Sequence, residues 1–272
     1  MKKERLDKIL VDLGYFETKS KASAAILAGQ VRVNDEIITK SGYQISPKKE
    51  YEFTVKTMKY VSRGGYKLQR AFEVFDFSPR GRVCLDAGAS TGGFTDCLLQ
   101  NGAEYVYAVD VGYGQIDWKL RSDSRVKTIE RVNLKICMPD DIYSKNEKLA
   151  DLLVSDMSFI SIERVLPNLK TLLDPEFHEM ICLIKPQFEA GKEFVEKGGI
   201  VRDRAVHIQV IQKIIDCVHS LGYKIAGLTY SSIKGAKGNI EYLIWFKTGK
   251  TDETEFDIDI EKTVNTAHQR LN

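Results

Sequence analysis

The sequence predicts an α/β protein: an open, mainly parallel sheet of about seven strands, helices on both faces, and a small α+β unit ahead of it. Three observations carry that prediction. Apolar, strand-like runs recur at 82–87, 105–111, 126–129, 151–155, 180–184, 224–230 and 240–246. Helical segments fit between most of them. The clearest is 203–221, where Ile208, Ile211, Ile215, Val218 and Leu221 lie on one side and Gly222 ends the pattern. Strands that alternate with helices form parallel sheets covered on both faces. Before about residue 60 the pattern differs, with short helices followed by closely spaced short strands.

In chain order, RLDKILVDL (5–13) places Leu6, Ile9, Leu10 and Leu13 on one helix face, and Gly14 suits its stop. A second helix fits from about Ser20, a suitable N-cap, to Ala28, with Gly29 at its end. GQVRVNDEIITKSGYQI then alternates apolar and polar residues around an Asn34-Asp35 turn. The domain boundaries that follow are a first domain over 1–58 and a linker over 59–65. The linker closes KTMKYVSRGG (56–65) on a flexible Gly-Gly pair. A main domain over 66–250 and an acidic tail over 251–272 complete the chain. The tail's TDETEFDIDIE (251–261) is expected to be frayed.

Bulk properties exclude several classes. The chain has 272 residues, 43% hydrophobic and 29% charged, which argues against wholesale disorder. Its net charge of +2 is uneven, because residues 1–60 hold 12 Lys/Arg against 8 Asp/Glu. A basic N-terminus favours a nucleic-acid partner. The five cysteines (Cys84, Cys97, Cys137, Cys182, Cys217) include no CxxC pair. They read as free thiols of a reducing cytoplasm, with no metal site. MKKERLDKIL lacks the apolar core of a signal peptide. No apolar run reaches the roughly 18 residues of a membrane helix, so a soluble cytoplasmic protein is expected, without a membrane partner.

CLDAGASTGGFTD (84–96) is a strand, a glycine-rich turn and a helix start. Such a turn lets the backbone approach a ligand closely, and the open helix N-terminus offers N–H donors. The next strand ends in Asp110, inside AVDVGYGQ, where a carboxylate can accept from both hydroxyls of a ribose. The loop does not match the GxGxxG dinucleotide fingerprint, which speaks against a nicotinamide oxidoreductase. Four further residues mark strand ends or helix starts: Lys67 after SRGGY, Asp156 in LLVSDMSF, Lys185 in LIKPQFE and Glu241 in GNIEYL. Ligands of open α/β sheets bind outside the carboxyl ends of the strands. Asp156 and Lys185 fall there, and Glu241 joins them if the last strand runs antiparallel.

Residues 3–60, through RLDKIL (5–10), Lys-Ser-Lys-Ala (19–22) and AGQVRVND (28–35), resemble the S-four-type RNA-binding domain. That resemblance implies RNA binding, with Lys19, Lys21, Gln30 and Arg32 as candidates. Asp86 and Gly88 of the loop resemble the first motif of class I, Rossmann-like S-adenosylmethionine-dependent methyltransferases. This implies S-adenosylmethionine as cofactor, with Asp86, Gly88, Ser90, Gly92, Gly93, Asp110, Asn133 and Asp156 around it. The order Lys67–Asp156–Lys185–Glu241 is that of the FtsJ-type RNA 2′-O-methyltransferase tetrad. With the N-terminal domain attached, the chain resembles the TlyA family of hemolysin-A-like rRNA methyltransferases over about residues 3–247. The resemblance implies methylation of a ribose 2′-hydroxyl, of cytidine, in ribosomal RNA or ribosomal subunits. The alternative is a membrane-acting cytolysin, as some relatives are described.

A ribose hydroxyl is a poor nucleophile at neutral pH. An ammonium beside it favours the developing alkoxide, and a neutral amine can take its proton. Lys185 is assigned that activation, Asp156 its positioning, and Lys67 and Glu241 the orientation of the ribose. Arg63, Lys234 and Lys237 are candidate RNA contacts. Arg202 and Arg204 either meet phosphates or flank a helix cap at Asp203. Phe159, Phe188 and Tyr113 either stack a base or pack the core. The oligomeric state is left open.

Overall fold

The computed structural model describes residues 3–27, 29–47, 49–55, 58–235, 237–248 and 256–271. The chain divides into two compact units, Met1–Lys59 and Tyr60–Asn272.

The first unit runs β1 (Glu4–Arg5), α1 (Leu6–Asp12), α2 (Lys19–Leu27), β2 (Val31–Val33), β3 (Glu36–Ile38), β4 (Gln44–Ile45) and β5 (Phe53–Val55). β1 pairs with β4, and β2 lies between β3 and β5, all antiparallel. Leu6, Leu10, Ala22, Ile26, Val31 and Ile38 form its core. The turn at Asn34-Asp35 forms as expected. Both residues have positive φ (49° and 65°), the conformation a tight hairpin requires and asparagine and aspartate tolerate. The second helix starts one residue before its expected cap. Thr18 rather than Ser20 does the capping, its Oγ1 accepting from the Lys21 backbone N–H at 3.3 Å.

The second unit runs α3 (Gly64–Val74), β6 (Val83–Ala87), α4 (Gly93–Gln100), β7 (Tyr105–Asp110), α5 (Trp118–Arg121), β8 (Val126–Glu130), β9 (Leu152–Ser155), α6 (Leu166–Thr171), β10 (Glu179–Ile184), α7 (Pro186–Glu189), α8 (Arg204–Ser220), β11 (Tyr223–Tyr230), β12 (Tyr242–Thr248) and α9 (Ile260–Leu271). Seven strands form one sheet in the order β11-β12-β10-β9-β6-β7-β8. β10, β9, β6, β7 and β8 are parallel neighbours, and β12 is antiparallel to both β10 and β11. The reversed β12 puts its beginning on the rim where the parallel strands end.

Side chains alternate strictly between two cores. Leu85, Tyr107, Leu153, Met180, Cys182 and Ile244 face one layer with α6, α8 and α9. Cys84, Val106, Leu152, Val154, Ile181 and Leu243 face the other, with α3 and α4. Helices therefore cover both faces, which is why these strands read as continuous apolar runs. α8, the longest helix among the described residues, buries Val206, Val210, Ile211, Ile214, Ile215 and Val218 on the sheet.

Two expectations need correction. The Gly-Gly of 59–65 is not a flexible linker end: Gly64 and Gly65 open α3. A Cβ on Gly93 would lie 2.9 Å from the Gly65 nitrogen and 3.2 Å from the Gly64 Cα, so these glycines let α3 and α4 meet backbone to backbone. Tyr60, also within that stretch, is buried in the core. The tail is not frayed throughout. Residues 251–255 lie outside the described residues, but α9 follows and packs Val264 and Ala267 fully into the core. Burying the valine alone is worth about 2 kcal/mol, enough to hold the helix against the domain.

α9 also meets α8 through histidine. His207 is fully buried, with Nε2 at 3.0 Å from the Val201 carbonyl and Nδ1 at 2.7 Å from the Tyr242 hydroxyl. The carbonyl requires Nε2–H, so Nδ1 accepts from the tyrosine and the ring is neutral. His268 Nε2 lies 3.2 Å from His207 Nδ1. Burial pushes the His207 pKa down to about 4. Its folded value is below the unfolded one, so the unfolded chain binds the extra proton. Stability should be complete above about pH 6.5 and fall towards pH 4, with a slope approaching 1.4 kcal/mol per pH unit from this residue. Urea unfolding across that window measures it; a flat profile would contradict a neutral, buried His207.

Candidate active site

The carboxyl rim of the sheet gathers four ionised side chains. Asp156 follows β9, Lys185 follows β10, Glu241 precedes β12, and Lys67 lies in the second turn of α3. Lys185 Nζ is 2.6 Å from Asp156 Oδ1. Lys67 Nζ is 3.2 Å from Asp156 Oδ2 and 2.8 Å from Glu241 Oε2. Signs alternate along the chain Lys185–Asp156–Lys67–Glu241, and two ammonium groups meet two carboxylates. Lys67, Lys185 and Glu241 are buried. Burial pulls the Lys67 pKa down, but the Asp156 and Glu241 carboxylates more than offset it and hold the pKa above its usual value. Lys67 therefore stays an ammonium at neutral pH.

All four line a cavity of about 540 Å³, together with Arg63, Ser158, Phe159, Gln187, Phe188, Lys234, Lys237 and Asn239. A second cavity of about 420 Å³ adjoins it. Gly88, Ser90, Asp110, Asn133, Asp156, Ser158 and Phe159 are among its lining. Gly88, Ser90, Asp156, Ser158 and Phe159 are common to both. The two spaces meet at the end of β9.

The glycine-rich loop shapes the second cavity. Gly88 has φ +85°, and a Cβ there would lie 2.9 Å from Met157 Cγ. Asp110 accepts from the Ser90 N–H at 2.8 Å and the Gly112 N–H at 2.6 Å, which fixes its carboxylate at the end of β7. Asn133 lines the cavity beyond β8, its side-chain Oδ1 accepting from the Lys135 N–H at 3.1 Å.

Not every predicted residue faces these spaces. Asp86 is fully buried beneath the loop and lines neither cavity. It accepts from the Thr95 N–H (2.9 Å) and hydroxyl (2.6 Å), pinning the first turn of α4. Burial, only partly opposed by those hydrogen bonds, pushes its pKa up to about 7. Gly92 also lines neither; it has φ +92° and packs against Leu120 and Ile116. Gly93 borders the larger cavity rather than the one beside Asp110. These three residues are supports for the loop.

Among the candidate RNA contacts, Arg63 donates to the Lys234 carbonyl at 2.8 Å, and Lys237 is exposed on the same rim. In the first unit Lys19 is exposed at the start of α2, Lys21 pairs with Glu17 at 2.7 Å, Gln30 is half-buried, and Arg32 donates to the Asp35 carbonyl at 3.1 Å. Asp203 caps α8, accepting from the Ala205 N–H at 2.8 Å, while Arg202 pairs with Glu196 and Arg204 reaches Asn265. Phe159 is 88% exposed, far from a core residue, and tilts against Phe188 at 5.2 Å between centroids. Tyr113 lies outside both cavities, under the Arg131 guanidinium at 4.2 Å.

Sequence reasoning missed three polar residues. Ser158 accepts from Lys185 Nζ at 2.7 Å. Buried Glu189 tethers the loop after β9, accepting from the Ser161 hydroxyl (2.6 Å) and the Ile162 N–H (2.7 Å). Asn239 accepts from the Val201 N–H (2.9 Å) and donates to the Gly199 carbonyl (2.8 Å), closing the rim two residues before Glu241. A polar residue within two to four positions of a tetrad member is the available signal.

Removing Asp156 leaves Lys185 with no carboxylate partner and Lys67 with Glu241 alone. Asp156→Ala should cost about 3 kcal/mol of unfolding free energy, and pairing it with Lys185→Met should recover part of that loss. Unfolding free energies that add without coupling would show that the carboxylate does not compensate the buried ammonium.

Comparison with known proteins gives a consistent result. Residues 60–248 match the FtsJ-like methyltransferase family and residues 4–50 match the S4 domain. A Bacillus subtilis (strain 168) protein described as a candidate rRNA methyltransferase, YqxC, is 45% identical over 99% of this chain and 96% of its own. The 16S/23S rRNA (cytidine-2′-O)-methyltransferase TlyA of Mycobacterium tuberculosis is 38% identical over 98% of this chain and 97% of its own. A solved structure from Streptococcus thermophilus, described as a candidate hemolysin, superposes with a TM-score of 0.76 at 40% identity, covering 99% of this chain and 97% of that one.

Proposed function

Because this chain belongs to the TlyA-type FtsJ-like methyltransferases, with an S4 domain at its N-terminus, we propose that it methylates a ribose 2′-hydroxyl of ribosomal RNA, a cytidine, using S-adenosylmethionine. The observation that carries this reading is the alternating Lys185–Asp156–Lys67–Glu241 chain bordering a cavity that runs into the one beside Asp110.

The smaller cavity fits a nucleoside-bearing methyl donor. Asp110 is held by two backbone N–H groups and keeps lone pairs for the ribose hydroxyls. Gly88 keeps the loop clear of a side chain where the donor must pass close to the backbone. Asn133 and the apolar Val132, Leu134 and Ile160 suit the flat adenine ring. When bound, S-adenosylmethionine supplies an activated methyl group.

The tetrad's work is then alignment and proton handling. Lys67, held as an ammonium between two carboxylates, orients the ribose and stabilises negative charge on its oxygen. Lys185 activates the 2′-hydroxyl, and Asp156 holds Lys185 through an ion pair at 2.6 Å and its own carbonyl. Glu241 balances Lys67. Phe159 and Phe188 offer faces on which an unstacked base can rest. Lys19, Lys21, Gln30 and Arg32 of the S4 domain, with Arg63, Lys234 and Lys237 at the rim, would contact the RNA. Ribosomes place this work in the cytoplasm. The membrane-acting alternative draws on the hemolysin description of relatives. Among the described residues no helix is long and apolar enough to cross a membrane, and α8 spends its apolar face on the sheet.

Tritiated methyl transfer to purified ribosomal subunits tests the reading, wild type against Lys185→Ala. Label should enter RNA at a linkage that resists alkali and should fall by ~10²-fold or more in the variant. Asp110→Ala should weaken S-adenosylmethionine binding about tenfold by calorimetry, from the lost ribose contacts. Label on a base, or undiminished ribose label in Lys185→Ala, would refute the assignment.

A further inference from the structure

The two lysines differ in how many of their protons are committed. An ammonium has three N–H donors and no acceptor. Lys67 meets two acceptors, Asp156 Oδ2 and Glu241 Oε2. One of its N–H groups has no acceptor among the described residues and borders the larger cavity. Three oxygens surround Lys185 Nζ: it donates to the Asp156 carbonyl at 3.2 Å and to Ser158 Oγ at 2.7 Å, and it forms an ion pair with Asp156 Oδ1 at 2.6 Å. Protonated, it has no lone pair to receive a substrate proton, and three oxygens within 3.2 Å already crowd its nitrogen.

Lys185 can therefore meet the ribose hydroxyl only by exchanging a partner. The Asp156 carboxylate holds Lys185 as a close ion pair, and the Asp156 carbonyl belongs to the backbone. Ser158 is the exchangeable partner, because a hydroxyl both donates and accepts and turns freely. Ser158 is exposed, its own proton has no acceptor among the described residues, and it lines both cavities where they meet.

We propose that Ser158 relays the proton of the ribose 2′-hydroxyl to Lys185. The proposal rests on the ribose-methylation reading. Lys185 first gives one proton to solvent; the neutral amine stays beside Asp156, and its lone pair accepts from the Ser158 hydroxyl. As the bond from the ribose oxygen to the methyl carbon forms, the carbon–sulfur bond of the donor breaks and its electron pair stays on sulfur. The 2′-hydroxyl proton passes to Ser158 Oγ, and the Ser158 proton passes to Lys185 Nζ. Lys185 ends as an ammonium among the same three oxygens and returns its proton to solvent before the next turnover. Lys67 offers its uncommitted N–H to the same oxygen and keeps its proton.

Wild type, Ser158→Ala and Ser158→Thr are compared in single-turnover methyl transfer to ribosomal subunits as pH varies. Ser158→Ala should lose ~10²-fold in rate, and Ser158→Thr, which keeps the hydroxyl, should recover most of it. Rates in mixtures of light and heavy water should curve for wild type, with two protons in flight, and be linear for Ser158→Ala. A readout independent of turnover is acetylation of Lys185 by acetic anhydride, followed by mass spectrometry. Removing one acceptor destabilises the ammonium, so Lys185 should react faster in Ser158→Ala at the same pH. An undiminished rate, an unchanged isotope curve or unchanged Lys185 reactivity in Ser158→Ala overturns the relay alone. Absence of ribose label with wild type overturns the functional reading and the relay together.

Discussion

Asp156 is the constraint on which the site depends. One carboxylate at the end of β9 faces two buried ammonium groups, at 2.6 and 3.2 Å. Unpaired, either lysine would shed its proton or draw water into the rim. With Glu241 on the far side of Lys67, acidic and basic groups alternate, so four ionisable groups share a small volume without net charge. The arrangement is possible because three strand ends meet on one rim. β9 and β10 end there, and β12 begins there only because it runs antiparallel.

Close backbone approach supplies the remaining geometry. Gly64, Gly65 and Gly93 bring the N-termini of α3 and α4 together, which carries Lys67 to the rim. Asp86, under the loop, grips the first turn of α4 through Thr95 and sets the height of the glycine-rich turn. Gly88 then leaves the space into which both cavities open. Along the opposite edge, Glu189 and Asn239 tie loops that bear Ser158 and Glu241. None of these supports needs to touch a substrate to determine where one can sit.

Much of this was legible in the residues. Apolar runs at seven places, with helical periods between them, determined the layered sheet, because buried parallel strands leave that pattern. The ionic residues at strand ends, Asp156 and Lys185, stood out because a buried strand has no other reason to end on a charge. Asp110 was equally visible at the end of β7. Gly-Gly at 64–65 and Gly92-Gly93 were visible as glycines, but whether a glycine serves flexibility or contact depends on what lies opposite it in space. The same limit placed Asp86 beside a ligand, although it lies under the loop.

By itself, the sequence determined which residue types had to be near the carboxyl rim, since strand order and the 3.6- and 2-residue periods are local properties. Only the tertiary structure decided which of them share hydrogen bonds. That α9 packs against α8 through His207 and His268, sequence neighbours of nothing relevant, follows from a contact across 61 positions. That three oxygens surround the Lys185 nitrogen and two the Lys67 nitrogen follows from distances between four separate segments. Hydrogen-bond capacity is a property of each residue, and its use is a property of the fold.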